Sequence, residues 1–474
     1  MEDCCSTPRK GGYDLAVVGA GSAGFSAAIT AAELGARVAL IGHGTIGGTC
    51  VNVGCVPSKT MIRAAEALHG AGAAARFPGL SAEARVTDWL SLIAAKDDLV
   101  TTLRQKKYAD LLPNYETIDY IEGQARFNGG ALLVDGAPLR AGKAIIATGA
   151  SPAMPDIAGL EDVPVLTSTT ALELAELPRS LLVIGGGYIG CELAQMFARM
   201  GTAVTLVARS RLLPEVEPEI SEALTGYLRD EGVVVRTGLS YRRIARGGDG
   251  VTLTVLARGR DEALTAAQVL STTGRRHNTV DLNLAEAGIE RDGRGAVVID
   301  DRMRTTRSGV YAAGDVTGRD QFVYMAAYGG KLAAKNALNG DSLTYDNSAM
   351  PWVVFTDPQV AGVGLTEAQG RAAGHRVKTS IVPLDQVPRA LAARNTRGLI
   401  KLVADSETDR ILGGQILAPE GADSVQTLAM AVKAGMTTQA LGETIFPYLT
   451  TVEGLKLAAQ SFGKDVARLS CCAG

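Results

Sequence analysis

The sequence predicts an α/β fold with two copies of a parallel βαβ unit and a C-terminal α+β domain. Three observations predict it. An apolar strand pattern runs into Gly19-Ala20-Gly21-Ser22-Ala23-Gly24 and an Ala-rich helix. The same pattern recurs around Gly185-Gly186-Gly187-Tyr188-Ile189-Gly190. From about Tyr345 the texture shifts to antiparallel-type strands and helices with no further glycine turn of this kind.

Composition agrees. At roughly 150 residues per domain, 474 residues give about three domains. Fifty-six glycines and only 5% aromatic residues favour tight βα turns over an aromatic-rich sandwich. A net charge of −3 offers no basic field to nucleic acid. No uninterrupted apolar run reaches the roughly 18 residues of a membrane span. The start, MEDCCSTPRK, lacks an apolar signal core, so a cytoplasmic protein is expected.

In the first unit, Tyr13 to Val18 predicts a strand, the helix extends to about Leu34, and Arg37 to Ile41 predicts a second strand. In the second, the strands are Ser180 to Ile184 and Ala203 to Val207, with a helix over Cys191 to Met200. Strand, glycine turn and helix together form the Rossmann-type fingerprint for dinucleotides. The first glycine (Gly19, Gly185) permits the tight turn, and the second (Gly21, Gly187) lets backbone approach a pyrophosphate. The third (Gly24, Gly190) lets helix and strand pack, with the positive helix end facing the anion. Two such sites imply two nucleotides that exchange electrons, most simply a flavin and a nicotinamide.

A carboxylate for a ribose 2′-hydroxyl is expected after the second strand of such a unit. Gly42 and His43 stand there in the first unit, Ala208 and Arg209 in the second. His43 offers one hydrogen-bonding group to the ribose. Arg209 and Arg211 without an acid suit a 2′-phosphate, hence NADPH; alternatively they solvate a strand end. Other strand ends lead into Thr148-Gly149, Gly274-Arg275 and Gly314-Asp315. Asp315 reads either as a ribitol ligand or as a turn residue. In the tail, Trp352 to Phe355 and Leu399 to Val403 predict strands, and Ser424 to Ala434 and Gly454 to Phe462 predict helices.

The seven cysteines are Cys4, Cys5, Cys50, Cys55, Cys191, Cys471 and Cys472. Three close pairs and one lone thiol do not staple distant segments; they point to thiol chemistry or soft-metal handling. Cys50 and Cys55 lie in Gly47-Gly48-Thr49-Cys50-Val51-Asn52-Val53-Gly54-Cys55-Val56-Pro57-Ser58-Lys59. A helix start and a lysine one turn on favour thiolate character.

This segment resembles the GGTCxNxGCxPSK signature of the pyridine nucleotide–disulfide oxidoreductases, and the resemblance covers about Tyr13 to the C-terminus. It implies an FAD domain over 1–152, an NADPH domain over 153–273, a returning FAD portion over 274–344 and a dimerisation domain over 345–474. It implies that Cys55 faces the flavin and Cys50 is the outer, interchange thiol. Lys59 would sit at flavin N5, paired with Glu192, and Tyr188 would cover the flavin where nicotinamide docks. Gly24, Gly44, Thr49, Ala125, Asp315 and Val323 match FAD-contacting positions. Gly42 departs from the family's acid.

Disulfide-reducing relatives of the glutathione and lipoamide type carry a His-Pro near the C-terminus and a Glu that orients the His. This chain has Phe446-Pro447-Tyr448 and Thr451 instead. Phe446 cannot carry a proton, and a general acid–base contributes roughly 10²–10⁴-fold. The chain ends in Cys471-Cys472-Ala473-Gly474. These two departures resemble the branch of the family that reduces Hg(II). That resemblance implies that Cys471 and Cys472 of one subunit capture Hg(II), delivered as a thiol complex, and pass it to Cys50 and Cys55 of the partner, with Tyr448 lining the site. A homodimer with a shared active site follows. Another disulfide reductase of the family is the alternative. Cys4 and Cys5 read either as an outer trap or as incidental.

Overall fold

In a computed structural model the described residues are 12–248 and 250–464. Cys4, Cys5, Cys471 and Cys472 therefore lie outside them. The chain forms two compact units.

The first unit comprises the residues up to Thr60, Leu90–Ala153 and Gly274–Tyr345. Its centre is a five-stranded parallel sheet in the order Val310–Ala312, Ala141–Ile146, Tyr13–Val18, Val38–Gly42, Ile118–Glu122. Leu15, Ala16 and Val17 are fully buried, and Val17 pairs with Leu40 and Ile145 on either side. A strand buried on both faces needs such a continuous apolar run. The helix Ser22–Glu33 covers one face and packs against the helix Val323–Asn339. Ala23 and Gly330 let these two backbones come close: a Cβ on Gly330 would sit 3.0 Å from the Ala23 carbonyl carbon.

The second unit comprises Met61–Trp89, Met154–Thr273 and the residues from Asp346 on. It holds a second parallel sheet, Val234–Arg236, Ala203–Val207, Ser180–Ile184, Gln268–Ser271 and Val165–Leu166. It also holds a five-stranded antiparallel sheet, Pro351–Val354, Gln359–Gly364, Ile411–Ala418, Leu399–Asp405 and Val377–Pro383. The helices Gly421–Lys433 and Glu453–Gln460 pack their apolar faces, including Leu428 and Leu455, onto that sheet. Burying each such side chain contributes about 1.5–3 kcal/mol.

The predicted elements are present with small shifts. The second-unit helix begins at Tyr188 rather than Cys191, because Gly187 is already its N-cap. The strand expected over Arg37 to Ile41 runs Val38–Gly42. Among the described residues no helix is long and apolar enough to cross a membrane.

Candidate active site

The first glycine turn is built by close approach. Gly19 has φ +118°, and a Cβ there would lie 2.6 Å from the Ala147 carbonyl carbon. A Cβ on Gly24 would be driven into the Gly19 carbonyl. Gly21 is the N-cap of the helix Ser22–Glu33, with no side-chain cap and no acid in the first turn. The orphan N–H groups and the positive helix end are thus left for an anion. Gly44 and Gly149 have open space where a side chain would be. The Thr148 hydroxyl donates to the Asn278 carbonyl at 2.7 Å, and Asn278 Nδ2 returns a bond to the Thr148 carbonyl at 2.9 Å. Burial raises the Asp315 pKa, against the opposing charges of Arg275 and His277. Ala125 is buried, and Val323 opens the helix Val323–Asn339. An uncapped helix end, an open glycine loop and a half-buried carboxylate at strand ends fit a flavin dinucleotide.

The dithiol follows directly. Thr49 and Cys50 lie in the short helix Gly48–Asn52, and Cys55 is the first residue of the helix Cys55–Gly72. The intervening bend is pinned by Asn52, whose Nδ2 donates to the Ile46 and Gly48 carbonyls at 2.9 Å each. Arg104 holds the Asn52 Oδ1 at 3.1 Å. Gly54 is required because a Cβ there would sit 2.9 Å from the Thr49 carbonyl and 3.3 Å from the Cys50 Cα. The two thiols, both half-buried, are joined by a hydrogen bond. That bond, burial and the Cys55 charge push the Cys50 thiol strongly up, while Lys59 pulls it down. Cys55 sits at a helix N-terminus, where negative charge is favoured.

Tyr108 is a neighbour that sequence reasoning missed. Its hydroxyl lies 3.4 Å from the Ser22 hydroxyl, and its ring meets Phe25 edge-on at 4.8 Å. Burial raises its pKa, and the charges of Cys50 and Cys55 add to the rise. Nothing in the spacing of residues 50 and 108 announces this.

The second glycine turn repeats the first. A Cβ on Gly185 would lie 2.8 Å from the Thr272 carbonyl carbon, and one on Gly190 would be driven into the Gly185 carbonyl. Gly187 caps the helix Tyr188–Arg199 without a side-chain bond, and the space beside it is open. Arg209 is exposed and lies over the Tyr241 ring at 5.4 Å. Arg211 is turned inward: its Nη2 donates to the Pro214 and Val216 carbonyls at 2.6 and 2.7 Å. These groups fit a nicotinamide dinucleotide, with Arg209 the more available cation.

Tyr188 opens the same helix, and burial pushes its hydroxyl pKa up. Its ring lies 5.8 Å from Trp352. Glu192 is buried, and its Oε1 accepts the Phe355 N–H at 2.9 Å. Both aromatic neighbours come from the strand Pro351–Val354 and the residue after it, far along the chain and beyond the reach of local pattern. Phe446 packs against the C-terminal core, while Tyr448 is 54% exposed. The Thr451 hydroxyl donates to Glu420 Oε2 at 3.0 Å. Among the described residues no group of three or more His, Cys, Asp or Glu is placed to hold a metal ion.

Comparisons with known proteins follow this geometry. The family "Pyridine nucleotide-disulphide oxidoreductase" matches residues 13–330, and its dimerisation domain matches residues 350–459. A "Mercuric reductase" of Streptomyces lividans is 48% identical over 469 residues, covering 98% of this chain and 99% of that one. One of Bacillus cereus is 48% identical over 464 residues, covering 98% of this chain and 73% of its own. One of Shigella flexneri is 46% identical over 479 residues, with 99% and 84% covered. Among solved structures, the HOCl-induced flavoprotein disulfide reductase RclA from Escherichia coli aligns with a TM-score of 0.83 and 33% identity. That alignment covers 94% of this chain and 99% of the other.

Proposed function

The chain belongs to the pyridine nucleotide–disulphide oxidoreductase family, and on that premise we propose that it reduces Hg(II) to elemental mercury, a detoxification. NADPH is the electron donor, and FAD and the Cys50–Cys55 dithiol carry the electrons. The balance is Hg²⁺ + NADPH → Hg⁰ + NADP⁺ + H⁺. The observation that carries the reading is the hydrogen-bonded dithiol at a helix start in a chain with Phe446 where a proton-carrying His would stand. Thiol exchange onto a soft metal needs thiolates and no such acid.

FAD, when bound, would supply hydride acceptance from NADPH and two-electron transfer. The chain's own groups do the rest. Gly19, Gly21 and Gly24 present the helix end to one pyrophosphate, and Gly185, Gly187 and Gly190 to the other. Gly44, Thr49, Ala125, Thr148, Gly149, Asp315 and Val323 would contact the flavin nucleotide, and Arg209 would select the 2′-phosphate, with Arg211 holding the turn that carries it. By the family resemblance, Lys59 would support the flavin's reacting end, Tyr188 would cover it, and Glu192 would serve the same centre. Cys55 carries the negative charge of the reduced pair. Cys50 gives up its proton as a metal thiolate exchanges onto it, and the departing thiol takes that proton. Cys50 and Cys55 then hold the metal.

Cys471 and Cys472 are the delivery pair, capturing Hg(II) from thiol complexes and passing it to the partner subunit's dithiol, with Tyr448 beside the path. The exposed side chains of Ile445, Tyr448 and Leu449 support a partner surface in this region. The reading places the enzyme in the cytoplasm, where disulfides are mostly transient or catalytic. The four-segment division, 1–152, 153–273, 274–344 and 345–474, belongs to the same proposal.

The test is NADPH oxidation by the purified holoenzyme with Hg(II) and excess thiol, against glutathione disulfide and lipoamide. Mercury-dependent oxidation is expected. Vigorous lipoamide or glutathione turnover without mercury activity would identify a disulfide reductase instead.

A further inference from the structure

The place after the strand Val38–Gly42, where a ribose-binding carboxylate belongs, is filled from the next strand. A Cβ on Gly42 would lie 2.8 and 2.9 Å from the Cε2 and Cζ of Tyr120, and nearer still to its hydroxyl. A side chain at position 42 would require that ring to move. Tyr120 pairs in register with Leu40, yet its hydroxyl reaches the level of Gly42. The phenol thus leans along the sheet toward the carboxyl ends of the strands, the end where open α/β sheets bind ligands. The ring is 7% exposed, so its body is held by the core while its tip stands at the vacated position. A phenol can donate to one oxygen and accept from another, which suits a ribose diol.

We propose that Tyr120 replaces the missing acid: its hydroxyl takes the ribose of the dinucleotide bound on the Gly19–Gly24 turn. This rests on the assignment of FAD to that turn. Glu122, which pairs with Gly42 across the sheet, and His43 are the other polar side chains near this strand end, and both are exposed. Neither stands in the space that a residue-42 side chain would take.

The experiment follows flavin retention of the holoenzyme, by the rise of flavin fluorescence on dilution and on heating. Stoichiometric FAD in the wild-type protein tests the assignment of the turn by itself; its absence would sink that reading and this one with it, whereas the variants below test this one alone. Tyr120→Phe keeps the ring and the packing and removes only the hydroxyl. Loss of one neutral hydrogen bond is expected to weaken FAD retention by about three- to ten-fold. Gly42→Glu alone is expected to lose flavin, because the ring blocks the new side chain. Gly42→Glu with Tyr120→Ala is expected to hold flavin more tightly than Tyr120→Ala alone. Unchanged retention in Tyr120→Phe would overturn the proposal. So would loosening by Glu122→Gln or His43→Ala with Tyr120→Phe neutral, or normal retention in Gly42→Glu with Tyr120 intact.

Discussion

The thiols of Cys50 and Cys55 share a hydrogen bond, and it is the first of the causes that raise the Cys50 pKa. A raised thiol pKa means less thiolate at neutral pH, so Cys50 is protected while its partner is present. In the reduced enzyme, Cys55→Ala removes that bond and the adjacent charge and leaves Lys59, which pulls the other way. Alkylation of Cys50 by iodoacetamide is expected to accelerate, and its pH–rate curve to shift to lower pH. Mass spectrometry of the Cys50 peptide over a pH series measures it. An unshifted curve would mean that burial alone sets the pKa.

The Glu192 carboxylate is a structural acceptor as well as a proposed site residue. It receives the Phe355 N–H, which ties the helix Tyr188–Arg199 to the strand Pro351–Val354. Glu192→Ala leaves that N–H without its carboxylate, and such a loss costs about 1–3 kcal/mol. Glu192→Gln keeps an oxygen in place and is expected to cost under about 1 kcal/mol. Thermal unfolding of the two variants distinguishes the roles. Equal Tm losses would show that the charge, not the acceptor, matters.

Lys401 is buried and bonded to Glu217, Glu219 and Glu367 at 2.9–3.1 Å. Burial opposes its charge, but the three carboxylates outweigh it and raise its pKa. Lys401→Met strands the buried Glu217 carboxylate, and breaking such a pair costs about 3–5 kcal/mol. The pH dependence has a defined sign. Arg371 and Lys401 hold Glu367 below its ordinary 4.5. Its stabilisation is complete above that value and is lost as pH falls through the lower, folded value. Urea unfolding of the wild type is expected to weaken over that acid range, and Lys401→Met to flatten the slope.

The legible and illegible parts of the site divide by chain distance. Gly24 and Gly54 are readable because backbone contact within a few residues forbids a Cβ, whereas Gly19 is readable only as the first glycine of the turn, since the carbonyl it meets is that of Ala147. Cys50, Cys55 and Lys59 were readable because their spacing sets one helix start and one face. Tyr108, Trp352, Phe355 and Tyr120 were not, because each meets its partner through sheet or helix packing across a long stretch of chain. Charge and spacing offer Arg211 to a 2′-phosphate or to solvent at a strand end. The turn Arg211 to Val216 bends its guanidinium back onto its own carbonyls, which side-chain charge alone does not reveal.

On the proposed reading, Cys471 and Cys472 deliver metal and take no part in the flavin chemistry. Cys471→Ala with Cys472→Ala leaves every residue proposed at the two dinucleotide turns unchanged. Flavin content and flavin reduction by NADPH are expected to be normal. Turnover with bulky mercury–thiol complexes is expected to fall by about ten-fold or more, on the scale of one charge-assisted contact. Stopped-flow reduction and steady-state turnover, measured on the same preparation, check both halves. Full turnover with the bulky complexes would remove the tail from the mechanism.

Arg209 and Arg211 are two residues apart, but their surroundings assign them different work. Arg209 is exposed and poised over the Tyr241 ring, while the Tyr241 hydroxyl donates to the Val207 carbonyl at 3.2 Å. The ring is thus anchored at the end of the strand Ala203–Val207 and offers a platform that limits where the guanidinium can go. Arg211 spends its Nη2 on two backbone carbonyls, and its Nη1 is buried with no partner among the described residues. A phosphate reaching Arg211 would have to displace those bonds; one reaching Arg209 would not. Arg209→Ala is expected to raise KM for NADPH by about ten-fold or more, the scale of a charge-assisted hydrogen bond, and to leave KM for NADH nearly unchanged. Arg211→Met is expected to lower Tm and to weaken both nucleotides alike, since it loosens the turn that carries Arg209. Titration with 2′-phospho-AMP and AMP reads the same split without catalysis. A phosphate-selective loss in Arg211→Met, with Arg209→Ala neutral, would reverse the assignment.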